Sequence, residues 1–192
     1  MYEKFEIAGN GLKTMFLAQI VILVAAVVTA LGLLAVPFAL IGLVGIIVGG
    51  IMSLVGLFSA GPAHDYYRNA ITVCVINIVV EVVAKIAGDG FFGSLLDSVS
   101  TVLGAVMVYF ICAATAELLS NRGDAALAAR GQLIWKLNAG CAVAAIVCTL
   151  LAVVPVVKIL AGVIGIVAGI VGLVVSVLYI MFLYQSYRSL GC

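Results

Sequence analysis

Polar and charged positions fall in short clusters along the chain. The apolar stretches between them have the length, about 20 residues, that a helix needs to cross the hydrocarbon core of a bilayer. Six stretches fit: 14–36, 38–60, 69–88, 97–119, 132–154 and 157–184. Only "AVPFA" separates the first two, and one straight helix through both would be ~70 Å long, more than twice the core thickness. Pro37 lacks a backbone donor and disfavours helix at Val36, so the chain is expected to turn there. Pro155 in "VVPVVK" is expected to turn the chain between the last two stretches. The pattern therefore predicts an all-α polytopic membrane helix bundle, a single transmembrane domain over residues 1–192. Its six transmembrane helices are arranged as three antiparallel hairpins, 14–60, 69–119 and 132–184. The rival is one kinked helix through each proline, which would leave four spans.

Composition strengthens the membrane reading. Of 192 residues 66% are hydrophobic and 9% are charged, and a soluble domain of this size needs far more charge to cover its surface. The net charge of +1 gives no indication of a nucleic-acid partner. Charge placement orients the spans. Six crossings put Lys4, Lys13, Arg68, Arg122, Arg130, Lys136 and Arg188 on one side, and only Lys85 and Lys158 on the other. The positive-inside rule then predicts both termini in the cytoplasm, in the plasma (inner) membrane. Phe16, Tyr66, Tyr67, Trp135, Tyr184 and Tyr187 gather at the expected inner interface, and Phe91 and Phe92 at the outer one. The opening "MYEKFEIAGNGLK" mixes both charge signs and leads into an apolar run too long for a signal peptide, so it reads as a retained first span.

A shift of 120 positions lays "IGLVGIIVGG" over "AGVIGIVAGI". Gly42, Gly45 and Gly49 then fall on Gly162, Gly165 and Gly169, and Tyr67-Arg68 falls on Tyr187-Arg188. The first and third hairpins are thus expected to be an internal repeat about an axis along the membrane normal. Small residues spaced on one helix face let backbones approach. Helices 2 and 6 are expected to pack through these faces, on each other or on a second copy. "LGLLAVP" followed by a glycine-spaced helix is similar in outline to small three-hairpin bacterial proteins of the acid-stress type, a likeness of shape and spacing from which no residue role is carried over.

The third stretch carries a polar stripe of Asn77, Glu81 and Lys85, each four residues after the last. Taking its span as 69–88 puts Glu81 about 4 Å from the bilayer centre and Lys85 about 10 Å out, close enough to reach the interface. A charge at the centre costs roughly 2.5–3.5 kcal/mol on the insertion scale, so Glu81 is the residue that needs a reason. Three readings stand: a local Glu81–Lys85 pair, a cluster across the hairpin that adds Asp97 and Thr101, or a Glu81 that serves a proton or cation path. Glu117, near the inner end of its span, reads as interfacial.

Little else in the chain carries chemistry. No metalloprotease, nucleophile-elbow or phosphate-loop motif is present, so no catalytic residue, metal site or cofactor is assigned. His64 reads as a turn residue beside Asp65. The five cysteines include no CxxC and read as small packing residues. "RGD" at 122–124 faces inward and is set aside as an adhesion motif; its Asp124 is expected to cap a short helix ended by Gly131. Two function classes remain. One is a non-enzymatic assembly, accessory or membrane-stress protein acting through helix packing, with the lipid bilayer and a second copy or another membrane protein as partners. The other is a small transporter or permeation component built around Glu81.

Overall fold

A computed structural model describes residues 2–31, 36–88, 90–152 and 158–191, without the side chains of residues 2, 30, 31, 36, 91, 150–152, 158–166 and 168. Six α-helices follow one another: α1 (Tyr2–Leu31), α2 (Val36–Ala60), α3 (Asp65–Ala87), α4 (Phe91–Asn121), α5 (Ala125–Ala152) and α6 (Lys158–Leu190). A single 3-10 turn, Gly61–Ala63, links α2 to α3. All six helices are long and apolar enough to cross a membrane.

The helices outrun the apolar stretches that announce them. The charged opening of the chain is the first turns of α1: Ala8, Leu12 and Met15 turn into the core while Glu3, Lys4, Glu6, Asn10 and Lys13 stay exposed. Such spacing makes an amphipathic helix whatever its charge. At 31 residues α4 is ~46 Å long, so it exceeds the ~30 Å core by several turns. Pro37 sits in the first turn of α2, where a missing N–H breaks no helical bond. Residues 32–35, between α1 and α2, and residues 153–157, with the expected turn at Pro155, lie outside the described residues.

The join between α4 and α5 corrects one expectation. Gly123 takes a φ of 93°, and its N–H bonds to Ser120 O at 3.0 Å while Asp124 N–H bonds to Leu119 O at 2.9 Å. That is a Schellman ending, in which glycine supplies the left-handed residue. Asp124 then caps α5, its Oδ1 accepting from Leu127 N–H at 3.2 Å. The helix does not stop at Gly131. It runs on to Ala152, because Gly131 lies under Phe182 of α6, where an added Cβ would come within 2.7 Å of the ring. Gly131 is a packing residue rather than a helix terminator.

Packing follows chain order and closes on itself: α1 on α2, α3 on α4, α4 on α5, α5 on α6, and α6 back on α1, with a lighter contact between α2 and α3. Contacts along α1 and α2 run in opposed register, Gly42 against Ala25 and Thr29, Gly49 against Ala18 and Ile22, Gly56 against Gly11 and Met15. Gly9 of α1 lies against Gly191, so both chain ends sit at one end of the bundle. The main buried core is at that same end, built from Leu12, Leu57, Tyr67, Leu119, Ile134 and Leu183 with their neighbours. Toward the opposite end large apolar side chains such as Ile47, Val79, Val102, Val143 and Leu173 are exposed. Among the described residues the large buried side chains concentrate at the first end, here the closed end, and the other half is the open half.

Candidate functional site

α3 and α4 make a polar contact in the open half. Asn77 Nδ2 donates to Glu81 Oε1 at 3.0 Å, and Ser100 Oγ of α4 donates to the same oxygen at 3.1 Å. A carboxylate only accepts, which fixes the orientation of the Asn77 amide. Asn77 Oδ1 is left buried without a partner. α3 spans 65–87, so Glu81 lies about 8 Å from its midpoint toward the open end, further out than the 69–88 span implied. Glu81, Lys85 and Asp97 are all exposed on the flank of the bundle. Among the described residues Lys85 forms no ion pair with Glu81 or with Asp97. Thr101 gives its hydroxyl to Asp97 O of its own helix, at 2.9 Å. The structure thus joins Asn77 and Glu81 to Ser100, one residue from the expected Thr101. The face of α4 turned to α3 passes through Ser100 and Thr115, while Thr101 points round to the side of α5.

The glycine faces have different fates. On α2, Cβ atoms added at Gly45 and Gly49 would meet α1 within 2.7 Å and 2.5 Å, and Gly42 lies against Thr29 and Ala25. The partner of this face is α1, not α6 or a second copy. On α6, a Cβ added at Gly169 or Gly172 meets nothing among the described residues within 4 Å. They line an open cleft of about 670 Å³ between α4, α5 and α6, whose other walls include Gly104, Asn138, Cys141 and Ala145. Gly162 and Gly165 fall in the stretch whose side-chain surroundings lie outside the described residues.

At the closed end the fold makes two contacts that the sequence reading passed over. His64 caps α3, its Nδ1 accepting from Tyr66 N–H at 3.1 Å, and its Nε2 lies 3.2 Å from Glu117 Oε2 on α4. A neutral imidazole protonated at Nε2 satisfies both partners. Deeper in, Tyr67 and Thr115 are wholly buried and share a 2.8 Å hydrogen bond. A chain of rings, Tyr66, Phe110, Tyr109 and Trp135, joins α3, α4 and α5 at centroid spacings of 5.0–5.9 Å. Pairing α3 and α4 about a turn centred near Phe91, so that residue numbers sum to about 181–182, sets Glu81 opposite Ser100, His64 opposite Glu117 and Tyr67 opposite Thr115. Among the described residues no group of three or more His, Cys, Asp or Glu comes together to hold a metal.

No protein-family model, curated protein or solved structure matches this chain.

Proposed function

We propose that the chain is an integral protein of the plasma (inner) membrane, with six transmembrane helices in three antiparallel hairpins and both termini in the cytoplasm. It works without catalysis, as an assembly or accessory protein that acts through helix packing. Seven of the nine lysines and arginines, including those at both chain ends, lie toward the closed end or on its connections, which supports that end as the cytoplasmic one. The observation that carries the packing role is the contrast between two glycine faces. Gly42, Gly45 and Gly49 are consumed inside the chain, while Gly169 and Gly172 border an open cleft walled by small residues from three helices. Apolar side chains have no hydrophobic drive to associate in lipid, so close approach through small residues is the available means of recognition. The occupant of the cleft is a helix of a second copy or of another membrane protein.

Gly169→Leu with Gly172→Leu fills the cleft from one wall. Native mass measurement in mild detergent should show an assembly for the parent protein and a folded monomer for the variant. A parent that is monomeric and carries no membrane partner, or a variant that assembles normally, removes the proposal.

One contact favours a second reading, a small transporter or permeation component: Glu81 held by Asn77 and Ser100 in the open half. A solute path draws polar groups from several helices, and here they come from two and lie on an exposed flank. Glu81→Gln should abolish a pH-dependent flux into liposomes; absence of flux with the parent protein ends this reading.

A further inference from the structure

A second cleft, of about 490 Å³, lies at the closed end between the start of α5 and the last turns of α6. Arg130 and Arg188 enter it from the two helices. The described hydrogen bonds of each guanidinium go to neutral groups: Arg130 Nη1 to Gln185 Oε1 at 3.0 Å, and Arg188 Nη1 to Tyr184 Oη at 3.2 Å. Each guanidinium has five N–H donors, so most of them remain free for a ligand. The carboxylate in the cleft, Asp124, is committed elsewhere, Oδ1 to the Leu127 N–H and Oδ2 to the Ser189 hydroxyl at 3.4 Å. The cleft is therefore a place with two positive charges, neither within ion-pair distance of a described carboxylate. A cleft at the α2–α3 turn makes the comparison: it too holds two cations, Lys4 and Arg68, but there Asp65 stands 3.7 Å from the Arg68 guanidinium.

We infer that the cleft between α5 and α6 binds a phosphate-ester anion, and that its source is the headgroup of an anionic phospholipid. Guanidinium forks match phosphate oxygens in pairs, which makes arginine the side chain for this recognition. Because Tyr184 accepts from Arg188, its own hydroxyl proton is left to donate to a ligand oxygen. The surroundings favour a lipid over free phosphate. Tyr184 belongs to an aromatic cluster with Phe16 and Tyr187, at centroid distances of 5.4–5.8 Å, that joins α6 to α1. Tyrosines of this kind sit at the level of lipid headgroups. Basic pockets between helices at the cytoplasmic interface are the usual headgroup sites. This rests on the proposed topology, which places the closed end at the cytoplasmic leaflet.

The test uses the full chain in detergent, titrated with phosphatidylglycerol, with phosphatidylcholine or with inorganic phosphate, and followed by native mass and by thermal unfolding. Phosphatidylglycerol should bind and raise the melting temperature, and phosphatidylcholine should not. Each basic group near an anionic headgroup is worth about fivefold in affinity, so Arg130→Gln with Arg188→Gln should weaken binding about 30-fold. Arg68→Gln should leave binding unchanged, and the double lysine variant should retain part of it. Unaltered binding in the double glutamine variant, or equal binding of both lipids, overturns the proposal. Protection by inorganic phosphate as strong as by phosphatidylglycerol overturns the lipid source. Failure of the topology is read separately, from the side on which terminal tags are accessible, and failure of the packing role from the mass of the Gly169/Gly172 variant.

Discussion

The buried contact between Tyr67 and Thr115 yields an ordered prediction. Thr115 has one hydroxyl proton, and it is given to Ile111 O at 2.7 Å. The proton in the 2.8 Å contact therefore belongs to Tyr67. Tyr67→Phe removes that donor and leaves the Thr115–Ile111 bond in place, so it should cost about 1 kcal/mol, the net worth of one hydrogen bond. Thr115→Val keeps the shape but strands the Tyr67 hydroxyl in a site with no exposure. An orphaned buried donor costs about 1–3 kcal/mol, so this variant should be the worse of the two. Combining both substitutions removes donor and acceptor together. The double variant should then stand near Tyr67→Phe alone, short of the additive sum by the cost of Thr115→Val, about 1–3 kcal/mol. The chain has a single tryptophan, Trp135, half-buried and 5.0 Å from the Tyr109 ring at the same end of the bundle, which gives a local fluorescence signal for denaturant titrations in mixed micelles. Equal costs for the two single variants, or strictly additive costs in the double variant, would refute the assigned proton direction.

Four further outcomes follow from the packing. Gly45→Ala would bring a Cβ to 2.7 Å from Ala25 Cβ and should destabilise by about 1–3 kcal/mol, whereas Gly50→Ala, with nothing within 4 Å, should be neutral or gain up to ~1 kcal/mol; equal unfolding midpoints would contradict this. Gly131→Ala should likewise destabilise by about 1–3 kcal/mol because Phe182 is in the way, and Phe182→Leu should relieve part of that loss in the same titration. Asp124→Ala gives up the α5 cap and should cost about 1 kcal/mol, with faster amide exchange confined to the first turn of α5. The Ser186 hydroxyl is buried without a partner among the described residues, so Ser186→Ala should raise stability by roughly 1 kcal/mol; a loss of that size would reveal a hydrogen bond to it.

Six apolar helices were legible from run length alone, because the bilayer core sets a minimum that soluble helices rarely meet in every element. Their ends were not. Residues 2–13 fell outside the first span, placed at 14–36, yet Ala8 and Leu12 share a helical face with Met15 and belong to α1. A span length measures the membrane, whereas a helix end is decided by its caps: Gly123 and Asp124 make one between α4 and α5, and nothing at Gly131 does. Polar pairs were legible only to within a residue. Glu81 and Asn77 meet as their spacing implied, but a shift of one position along α4 rotates the partner by about 100° and exchanges Thr101 for Ser100. The partners of Tyr67 and His64 follow from the α3–α4 register set by a turn near Phe91, which helical periodicity alone does not contain. The glycine spacing on α2 and α6 looked alike and does unlike things, since a small-residue face states that something can approach and not what does.

The two ends of the bundle are held by different forces, and this bears on where a partner can act. At the closed end large side chains interlock and polar groups find each other across helices, as Tyr67 does Thr115 and Arg130 does Gln185. Such contacts are specific and costly to rearrange. In the open half α1 and α2 are zipped by Gly42, Gly45 and Gly49, and α3 and α4 meet through Glu81 with Ser100 and through Gly93 against Ala84 and Gly88. Around the cleft the walls of α4, α5 and α6 carry residues small enough for close approach, yet Gly104, Gly169 and Gly172 have no neighbour among the described residues within 4 Å of an added Cβ. Small residues lower side-chain contact and lipid-facing bulk, so a surface of them is unfavourable to leave to lipid and favourable to cover with another helix. On the proposed reading the closed end is the rigid base, with its lipid site between α5 and α6, and the open half is where assembly is decided. Substitutions that disturb assembly without unfolding the chain should therefore map to the cleft walls, and those that unfold it should map to the closed end and the α1–α2 seam.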